Sequence, residues 1–266
     1  MTNEAFAPAK INLTLHVTGQ RPDGYHLLDS LVVFADIGDR LWFEQGPELS
    51  LEVTGPFAKG VPCDARNLVW QAAFQAGWSG QITLEKNLPH GAGIGGGSAD
   101  AAAVLRSLDA PQHALCLGAD VPVCLSTFPQ RMSGIGEQLC PVPDLPEMWV
   151  VLVNPGVHVP TPQVFAGLAS KQNPAMPDSL EGWQSVQTFA TWLAHQRNDL
   201  QAVAQTQTPE ISEVLSALGD ALIARMSGSG ATCFGVYSSA AMARLAAEKI
   251  RKQHSDWWVA DGKVLS

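Results

Sequence analysis

The most constraining feature of this sequence is a glycine-rich segment that separates two segments of regular periodicity. Residues 88–103 read Leu-Pro-His-Gly-Ala-Gly-Ile-Gly-Gly-Gly-Ser-Ala-Asp-Ala-Ala-Ala. Residues 81–86 before it alternate between apolar and polar side chains, as in a half-buried strand, whereas the alanine-rich stretch after it is typical of a helix. The sequence therefore predicts a strand, a glycine loop and the N-terminus of a helix that starts at Ser98.

The glycine loop is suited to binding an anion. Its glycines lack a β-carbon and tolerate positive φ, so successive N–H groups can converge on one point. The helix that follows directs its unpaired amides and the positive end of its dipole toward the same point. The alternative is that Ser98 only caps the helix beside a flexible turn. We expect a phosphate group here, bound by Gly91, Gly93, Gly95, Gly96, Gly97 and Ser98.

Two known kinds of phosphate loop have different sequence requirements. A P-loop places Lys before its Ser or Thr, but Gly97 precedes Ser98 here, which excludes that loop. Residues 91–96 satisfy the G-x-G-x-x-G pattern of dinucleotide-binding folds. That fold also requires a second strand ending in an acidic residue about 20 positions on, whereas Asp109 lies in a predicted turn before Pro111. Dinucleotide binding is therefore the second-ranked enzyme interpretation.

Three further motifs contain candidate functional residues. Asp120 stands between Gly118 and Pro122, which indicates a carboxylate held in place, although a simple turn aspartate has the same pattern. The segment Met-Ser-Gly-Ser-Gly-Ala-Thr-Cys-Phe at 226–234 predicts a glycine turn between two strands and is equally typical of an ordinary hairpin. Lys10 enters a strand that otherwise alternates, where a lysine is usually solvated. Taken singly, none of the three identifies a function.

Composition excludes several classes of protein. The chain has 16 Lys and Arg against 25 Asp and Glu, a net charge of −9, and no run of basic residues, so nucleic acid is not an expected partner. An anionic small molecule can still bind if backbone amides, a metal ion and well-placed lysines neutralise it. Five irregularly spaced cysteines without a C-x-x-C pair predict neither a zinc site nor a disulfide framework. With no leader-like or membrane-spanning segment, we expect a cytoplasmic protein without a membrane partner.

The order of the periodic segments predicts an α+β fold with two lobes. The predicted strands lie at 10–17, 27–35, 40–44, 49–54, 81–86, 149–154, 223–226, 232–237 and 257–263. The predicted helices, besides the one after the glycine loop, lie at 67–78, 111–117, 162–169, 181–194, 199–206, 209–219 and 239–253. Three prolines in residues 141–146 cannot continue a helix or a central strand. We therefore expect an N-terminal domain at 1–146 and a C-terminal domain at 147–266.

The four motifs occur in an order that resembles the GHMP small-molecule kinases. That order is Pro-Ala-Lys-Ile-Asn-Leu at 8–13, the glycine loop, Gly-Ala-Asp-Val-Pro at 118–122 and Ser-Gly-Ser-Gly-Ala at 227–231. Within the family, Thr-Gly-Gln-Arg-Pro-Asp-Gly-Tyr-His at 18–26 and Pro-Gly-Val-His-Val-Pro-Thr-Pro at 155–162 resemble the members of non-mevalonate isoprenoid synthesis whose substrate is a cytidine diphosphate sugar alcohol. The resemblance extends over nearly the whole chain, and the Gly-Tyr-His segment is its most specific part.

The resemblance implies a kinase that transfers the γ-phosphoryl group of ATP to a substrate hydroxyl group with Mg²⁺. It implies the two-lobed GHMP kinase fold, with ATP and substrate in the cleft between the lobes. Asp120 would be the catalytic base, and Lys10 would face the attacking hydroxyl group, with Asn12 hydrogen-bonding nearby. Phosphoryl transfer depends mainly on positioning and charge neutralisation, which fits a chain with few cations. The implied ATP-binding residues are Asn67, Lys86, Pro89, Gly91, Gly93, Ile94, Gly95, Gly96, Gly97 and Ser98, with Asn67 and Lys86 near the adenosine.

The resemblance also implies a slot for the cytosine ring. Tyr25 and Phe165 match positions that sandwich the base, and stacking of this kind is worth about 1–3 kcal/mol. His26 matches the residue that reads the base edge, with Thr161 and Pro162 on the opposite wall. The alternative for Tyr25 is an aromatic residue that covers the core from a turn.

Two departures from the family pattern leave alternatives open. The segment 103–118 is shorter than is usual in the family, which implies that a helix pair there is trimmed. Asp100 stands where many members carry Asn, and an additional negative charge near phosphates is unfavourable unless it binds Mg²⁺ or caps the helix. These departures allow a catalytically silent nucleotide-binding relative, and a kinase for another alcohol such as homoserine or mevalonate is a further possibility. The sequence leaves the oligomeric state and the metal ligands open.

Overall fold

The computed structural model describes residues 3–266, which divide into two compact units. Unit 1 contains the described residues up to Lys10 together with Gly38–His90 and Gly95–Thr127. Unit 2 contains Ile11–Ile37, Gly91–Ile94 and Phe128–Ser266. Each unit is thus assembled from three separate stretches of chain. The predicted boundary between residues 146 and 147 follows chain order instead, and it stays a prediction.

Unit 1 combines a small sheet with the helices that follow the glycine loop. In the sheet, β4 (Ser50–Thr54) runs parallel to β5 (Gly80–Glu85), and β5 runs antiparallel to the second half of β3 (His26–Gln45). Helix α2 (Gly96–Ser107) buries seven consecutive residues, Ala99 to Leu105, most of them alanines, so neighbouring helices can approach it closely. The elements are β1 (Asn3–Asn12, to Lys10), the second half of β3 (His26–Gln45), β4 (Ser50–Thr54), α1 (Leu68–Gln75), β5 (Gly80–Glu85), α2 (Gly96–Ser107), a 3₁₀ turn (Pro111–His113), α3 (Ala114–Leu117) and α4 (Val121–Cys124).

Unit 2 contains the first half of β3 and a separate antiparallel sheet. The first half of β3 pairs with β2 (His16–Gln20) and β6 (Gln130–Gly134), and β6 pairs with β7 (Gln138–Pro141). The second sheet has the order β11 (Trp258–Lys263), β8 (Trp149–Asn154), β10 (Cys233–Tyr237), β9 (Ile223–Met226), and each neighbouring pair is antiparallel. The elements of this sheet and the remaining helices are β8 (Trp149–Asn154), α5 (Thr161–Ala166), α6 (Val186–Ala194), α7 (Gln201–Gln207), α8 (Glu210–Ala217), β9 (Ile223–Met226), β10 (Cys233–Tyr237), α9 (Ala240–Gln253) and β11 (Trp258–Lys263).

The core of unit 2 lies between the second sheet and its helices. Helix α9 is capped by the Ser239 side chain and buries Ala243, Ala247 and Ile250 on one face. This spacing of three to four residues is the pattern expected of a helix that covers a sheet. The predicted α+β fold is confirmed by the two sheets and their helices.

One predicted strand is interrupted. Residues 10–17 alternate as a strand should, but β1 ends at Asn12 and β2 begins at His16. Between them, the Leu15 amide donates to the Arg197 carbonyl and leaves the ladder with β3. The alternation persists through the break because Leu13 and Leu15 are both buried, so the pattern alone could not locate it.

Other differences have local causes. The predicted strands 27–35 and 40–44 form one strand, β3, because Gly38 leaves room for the Ala7 carbonyl: a β-carbon there would lie 2.3 Å from its oxygen. Strands β6 and β7 were not predicted, since their residues are largely polar and surround a turn with Gly134 at φ 73°. Over residues 3–266, no helix has the combination of length and hydropathy needed to cross a membrane.

Candidate functional site

The first half of the glycine loop, Gly91–Ile94, belongs to unit 2 and is interlocked with the turn between β9 and β10. Gly93 has φ 75°, and a β-carbon there would lie 2.4 Å from the Ser227 carbonyl oxygen. Gly228 has φ 55°, and its β-carbon would lie 2.8 Å from the Gly93 carbonyl oxygen. The Ser227 hydroxyl donates to that same oxygen at 2.9 Å. The turn is therefore more than an ordinary hairpin, because it holds the loop by close backbone contact.

The second half of the loop becomes the first turn of α2. The helix begins at Gly96, two residues before the predicted start, because Gly95 supplies the N-cap with φ 63°, a left-handed conformation that suits glycine. Ser98 lies inside the helix, and within the described chain no side chain caps α2. The alternative that Ser98 is only a cap is therefore wrong. Because the first amides of a helix have no intrahelical partner, those of Gly96, Gly97 and Ser98 can bind an anion.

Lys10 and Asp120 meet beside this turn. Lys10 Nζ lies 2.8 Å from Asp120 Oδ2, although the residues are far apart in the sequence. The Lys10 side chain is 4% exposed and that of Asp120 is 44% exposed, so the pair can be approached from the carboxylate side. A β-carbon at Gly95 would lie 3.2 Å from the Lys10 β-carbon, so the lysine stem packs directly against the loop. An amine, a carboxylate and the helix amides are thus brought together within unit 1.

Arg106 holds the two elements that carry this pair. Its guanidinium donates to the Phe6 carbonyl of β1 at 2.8 Å and to the Cys124 carbonyl of α4 at 2.5 Å. Burial lowers the pKa of Arg106 but leaves it charged at pH 7. Sequence reasoning missed this residue, because an arginine in the last turn of a helix usually faces solvent.

Asn67, Lys86, Pro89 and Ile94 were expected to bind ATP. The Asn67 side chain caps α1, accepting from the Val69 amide at 2.9 Å. Ile94 is buried and Pro89 is half-buried. The Lys86 side chain is 5% exposed, and its amine is bonded to the carboxyl groups of Asp39 and Asp100 within unit 1. Contact of these four residues with ATP stays a prediction.

Asp100 is not an exposed charge beside the loop. It neither caps α2 nor faces solvent, because its Oδ2 lies 2.7 Å from Lys86 Nζ in the interior of unit 1. Lys86 also forms a close ion pair with Asp39. Burial, reinforced by the Asp39 carboxylate and opposed by Lys86, raises the pKa of Asp100 to about 8. Burial opposes the charge on Lys86, but the two carboxylates outweigh it and raise the Lys86 pKa.

The residues expected to hold a cytosine ring lie in unit 2. The rings of His26 and Phe165 stack, with centroids 4.6 Å apart and planes inclined by 24°. His26 Nε2 is buried and has no hydrogen-bond partner among residues 3–266. Burial, and secondly the charge of Lys171, lowers the His26 pKa, so the imidazole is neutral at pH 7. Tyr25 is 59% exposed, which does not fit an aromatic residue that covers the core.

Three other expected substrate residues are placed by hydrogen bonds or a helix end. Thr161 and Pro162 are exposed in the first turn of α5, and the Thr161 hydroxyl lies 2.7 Å from that of Ser229. Asn12 is buried, donating from its side chain to the Ser30 hydroxyl at 2.8 Å. The Asn12 amide donates to the Ser227 hydroxyl at 3.1 Å, so Ser227 fixes both Asn12 and the glycine loop. The only sequence signal for Ser227 and Ser229 was their place in the glycine turn.

The side chains of the described residues do not form a metal-binding site of three or more ligands. Among residues 3–266, no three His, Cys, Asp or Glu side chains converge to hold a metal ion. Asp39 was not predicted as a functional residue, because it is one of three aspartates in β3 and no motif distinguishes it from the others.

Family comparisons agree with the motif order. Two family models match the chain: one described as GHMP kinases N terminal domain at residues 66–114, and one described as GHMP kinases C terminal at residues 178–256. The 4-diphosphocytidyl-2-C-methyl-D-erythritol kinase of Cereibacter sphaeroides is 56% identical, over 98% of this chain and 99% of its own length. The protein of that name from Dinoroseobacter shibae is 57% identical, over 96% and 92% respectively.

Solved structures of GHMP kinases are also similar to this chain. A crystal structure of 4-(cytidine 5'-diphospho)-2C-methyl-D-erythritol kinase is similar with a TM-score of 0.78 and 36% identity, covering 99% of this chain and 100% of its own. The L. major mevalonate kinase in complex with R-mevalonate has a TM-score of 0.66 at 14% identity, covering 98% and 96%. At that identity, the second likeness concerns the fold alone.

Proposed function

This chain belongs to the GHMP kinases, within their group of 4-diphosphocytidyl-2-C-methyl-D-erythritol kinases, and we propose that it phosphorylates the 2-hydroxyl group of that cytidyl substrate with ATP. The protein is a small-molecule kinase of the non-mevalonate route to isoprenoid precursors. The observation that carries our assignment of the reacting groups is the 2.8 Å contact between Lys10 and Asp120 beside the loop.

Backbone amides of the loop and of the first turn of α2 bind the ATP phosphates. The amides of Gly96, Gly97 and Ser98 lie at the positive end of the α2 dipole, and the absence of a side-chain cap leaves them for a ligand. The contact of Gly93 with the Ser227 turn restrains the earlier part of the loop. Backbone donors held in place in this way stabilise phosphate charge without reorganising during the reaction.

Asp120 and Lys10 act on the attacking hydroxyl group. Asp120 accepts the hydroxyl proton as the oxygen attacks the γ-phosphorus, the bond to the β-phosphate oxygen breaks, and ADP leaves. Lys10 stabilises the negative charge that develops on the attacking oxygen and orients the carboxylate through its ion pair. The partial exposure of Asp120, beside a nearly buried lysine, leaves the carboxylate accessible to the substrate.

Mg²⁺ enters as part of the MgATP substrate. Magnesium usually keeps several waters and binds phosphate oxygens with few protein ligands, which fits a described chain without a cluster of three metal-binding side chains. Bound to ATP, the ion neutralises phosphate charge.

The cytidyl end of the substrate is assigned to the aromatic residues of unit 2. The unpaired Nε2 of a neutral His26 can bond to the edge of the cytosine base. We assign stacking on the base to the exposed ring of Tyr25 and to the face of Phe165 that His26 does not cover. Thr161 and Pro162 are exposed, and we assign them to the opposite wall of the slot. Asn12 is buried and bonded to Ser30, so its contact with the substrate rests on the family motif alone.

An ADP-release assay with ATP, Mg²⁺ and the cytidyl substrate tests the function. We expect phosphorylated product in proportion to ADP, and its fragmentation pattern should locate the phosphate on the 2-hydroxyl group. Homoserine and mevalonate serve as competing alcohols and should give only background release. No turnover of the cytidyl substrate would favour the silent nucleotide-binding alternative, and faster turnover of another alcohol would change the substrate assignment.

A further inference from the structure

The mechanism does not use a cluster of three ionisable residues in the interior of unit 1, here called the buried triad: Asp39, Lys86 and Asp100. Lys86 Nζ forms a close ion pair with Asp39 and lies 2.7 Å from Asp100 Oδ2. None of the three side chains is more than 5% exposed. They come from β3, from the residue after β5 and from α2, so the triad joins three elements.

The triad lies directly against the first turn of α2. A β-carbon at Gly96 would lie 3.5 Å from Lys86 Nζ and 3.7 Å from Asp39 Oδ2. Asp39 Oδ1 accepts from the amides of Asn87 and Leu88, the latter at 2.9 Å, which are the residues that lead into the glycine loop. One buried ammonium group therefore connects the chain before the loop with the helix after it.

The charges of the triad are not arranged for stability alone. Two carboxyl groups face one ammonium group, and Asp100 Oδ1 is buried without a hydrogen-bond partner in the described chain. A buried ion cluster is weak evidence for stability, since apolar side chains of similar volume often stabilise a protein as well or better. Its specific property is geometry, because charged hydrogen bonds fix distances that apolar packing leaves adjustable.

We propose that Asp39, Lys86 and Asp100 are positioning residues, which fix the amides of Gly96, Gly97 and Ser98 for the ATP phosphates without touching the nucleotide themselves. The inference rests on the proposed function in assigning those amides to ATP. It explains why a lysine beside a phosphate-binding loop is turned into the protein: its charge is neutralised by the carboxylates, and it acts through the backbone of the loop.

Steady-state kinetics of Asp39→Asn, Lys86→Met and the double variant test the proposal. We expect each single variant to raise the KM for ATP by about tenfold or more, because small displacements of a binding group are costly. The KM for the cytidyl substrate should change less than about twofold. The double variant should be less affected than the product of the single effects, since both changes break the same connection.

One control variant and two possible outcomes separate the proposal from other roles. Arg40→Met, which changes an exposed residue next to Asp39, should have wild-type kinetics. An effect of Lys86→Met without any effect of Asp39→Asn would mean that Lys86 contacts ATP directly, and would overturn the proposal. Lower thermal stability with unchanged KM values would mean a purely structural role, and would also overturn it.

The proposal can still be tested if a single variant of the triad fails to fold. The combined variant Asp39→Asn/Lys86→Met/Asp100→Asn has no ionised member of the triad, and it should fold with a raised KM for ATP; a wild-type value would refute the proposal. If the wild-type protein does not turn over the cytidyl substrate, the proposed function fails. Calorimetric ATP binding by the same variants then decides: weaker binding supports the positioning role and unchanged binding contradicts it.

Discussion

Asp120 combines partial exposure with a fixed partner, a combination that suits a group that must meet a substrate in one orientation. Lys10 is held almost completely inside unit 1, and its stem packs against Gly95. The carboxylate is thereby positioned relative to the loop before any ligand binds, which reduces the reorganisation needed in the transition state.

Replacing Asp120 tests this assignment. We expect Asp120→Asn to lower kcat by at least about 100-fold with little change in the KM for ATP, because the loss of a proton acceptor acts on the transition state. Steady-state kinetics with both substrates measure the effect. Asp144→Asn changes an exposed carboxylate and is the matched control. Equal kcat values in Asp120→Asn and wild type would remove Asp120 from the mechanism.

Tyr25 is the residue whose exposure most favours a ligand contact. Its ring is 59% exposed, at the end of a polar turn, although aromatic rings usually bury their surface. We expect Tyr25→Ala to raise the KM for the cytidyl substrate by about 5- to 150-fold, the range that corresponds to the loss of one stacking contact. Phe74→Ala removes a comparably exposed ring and should be silent. A larger effect on the KM for ATP would reverse the assignment of the pocket.

Asp100 gives the folded chain a specific pH dependence. Its pKa of about 8 in the folded state lies above the ordinary value of 3.8, so the folded state binds this proton more tightly than the unfolded state. The resulting contribution to the free energy of unfolding is complete below about pH 4 and is lost as pH rises toward about 8, with a slope of at most about 1.4 kcal/mol per pH unit.

The Asp100→Asn variant isolates this contribution. Asparagine does not ionise, so the free energy of unfolding of the variant should fall less with pH than that of wild type between about pH 5 and 8. Urea denaturation at several pH values measures both curves. Asp144→Asn should follow the wild-type curve. If the Asp100→Asn and wild-type curves run parallel, Asp100 does not change its protonation over this range.

At the scale of elements, helix α2 organises unit 1. Its first turn carries the anion-binding amides, Asp100 joins it to Lys86, and Arg106 in its last turn holds β1 and α4. The positions of Lys10 and Asp120 therefore depend on a residue at the far end of the helix from the loop.

Arg106→Met tests this dependence. Two carbonyl groups lose a charged donor, so we expect the free energy of unfolding to fall by about 2–3 kcal/mol. We also expect kcat to fall more than the KM for ATP rises, because β1 and α4 carry the reacting pair. Urea denaturation and kinetics of the folded variant measure the two effects. Arg244→Met, which breaks an exposed ion pair on α9, is the control and should change neither the free energy of unfolding nor kcat. An unchanged kcat in Arg106→Met would mean that Arg106 does not position the reacting pair.

Elements could be predicted from the sequence where one period dominates. Strands β8 and β9 span the predicted residues because both are short, mainly apolar segments with clear ends. The glycine loop could be located because a cluster of glycines directly before an alanine-rich helix is typical of a loop that binds an anion. Strands β6 and β7 could not, since an edge hairpin of polar residues has neither an apolar face nor a continuous run.

Some site residues could be predicted from the sequence and others could not. Lys10 and Asp120 could be predicted from motifs, because their neighbours restrict the backbone. Asp39 and Arg106 could not be predicted, because each acts through contacts with residues distant in the sequence. The orientation of the Lys86 side chain could not be predicted either, since a sequence pattern does not determine whether a lysine beside a loop faces the ligand or the interior.

At the scale of the whole molecule, charge limits how ATP can be attracted. The chain carries a net charge of −9, and the charges described around the loop are balanced or negative: Lys10 is paired with Asp120, and Lys86 with two aspartates. Long-range attraction of anions requires a positive field, which salt weakens. This protein instead offers oriented amides, whose effect is short-ranged.

At constant free Mg²⁺, we therefore expect kcat/KM for ATP to change less than about twofold between ~25 and ~250 mM KCl. Any change should be an increase, because salt screens the repulsion between the chain and ATP. Initial rates over this series measure the effect, and an uncharged osmolyte at matched osmolality controls for water activity. A decrease of about tenfold would mean that a positive field guides ATP to the loop, and the amides would then not be the main source of binding.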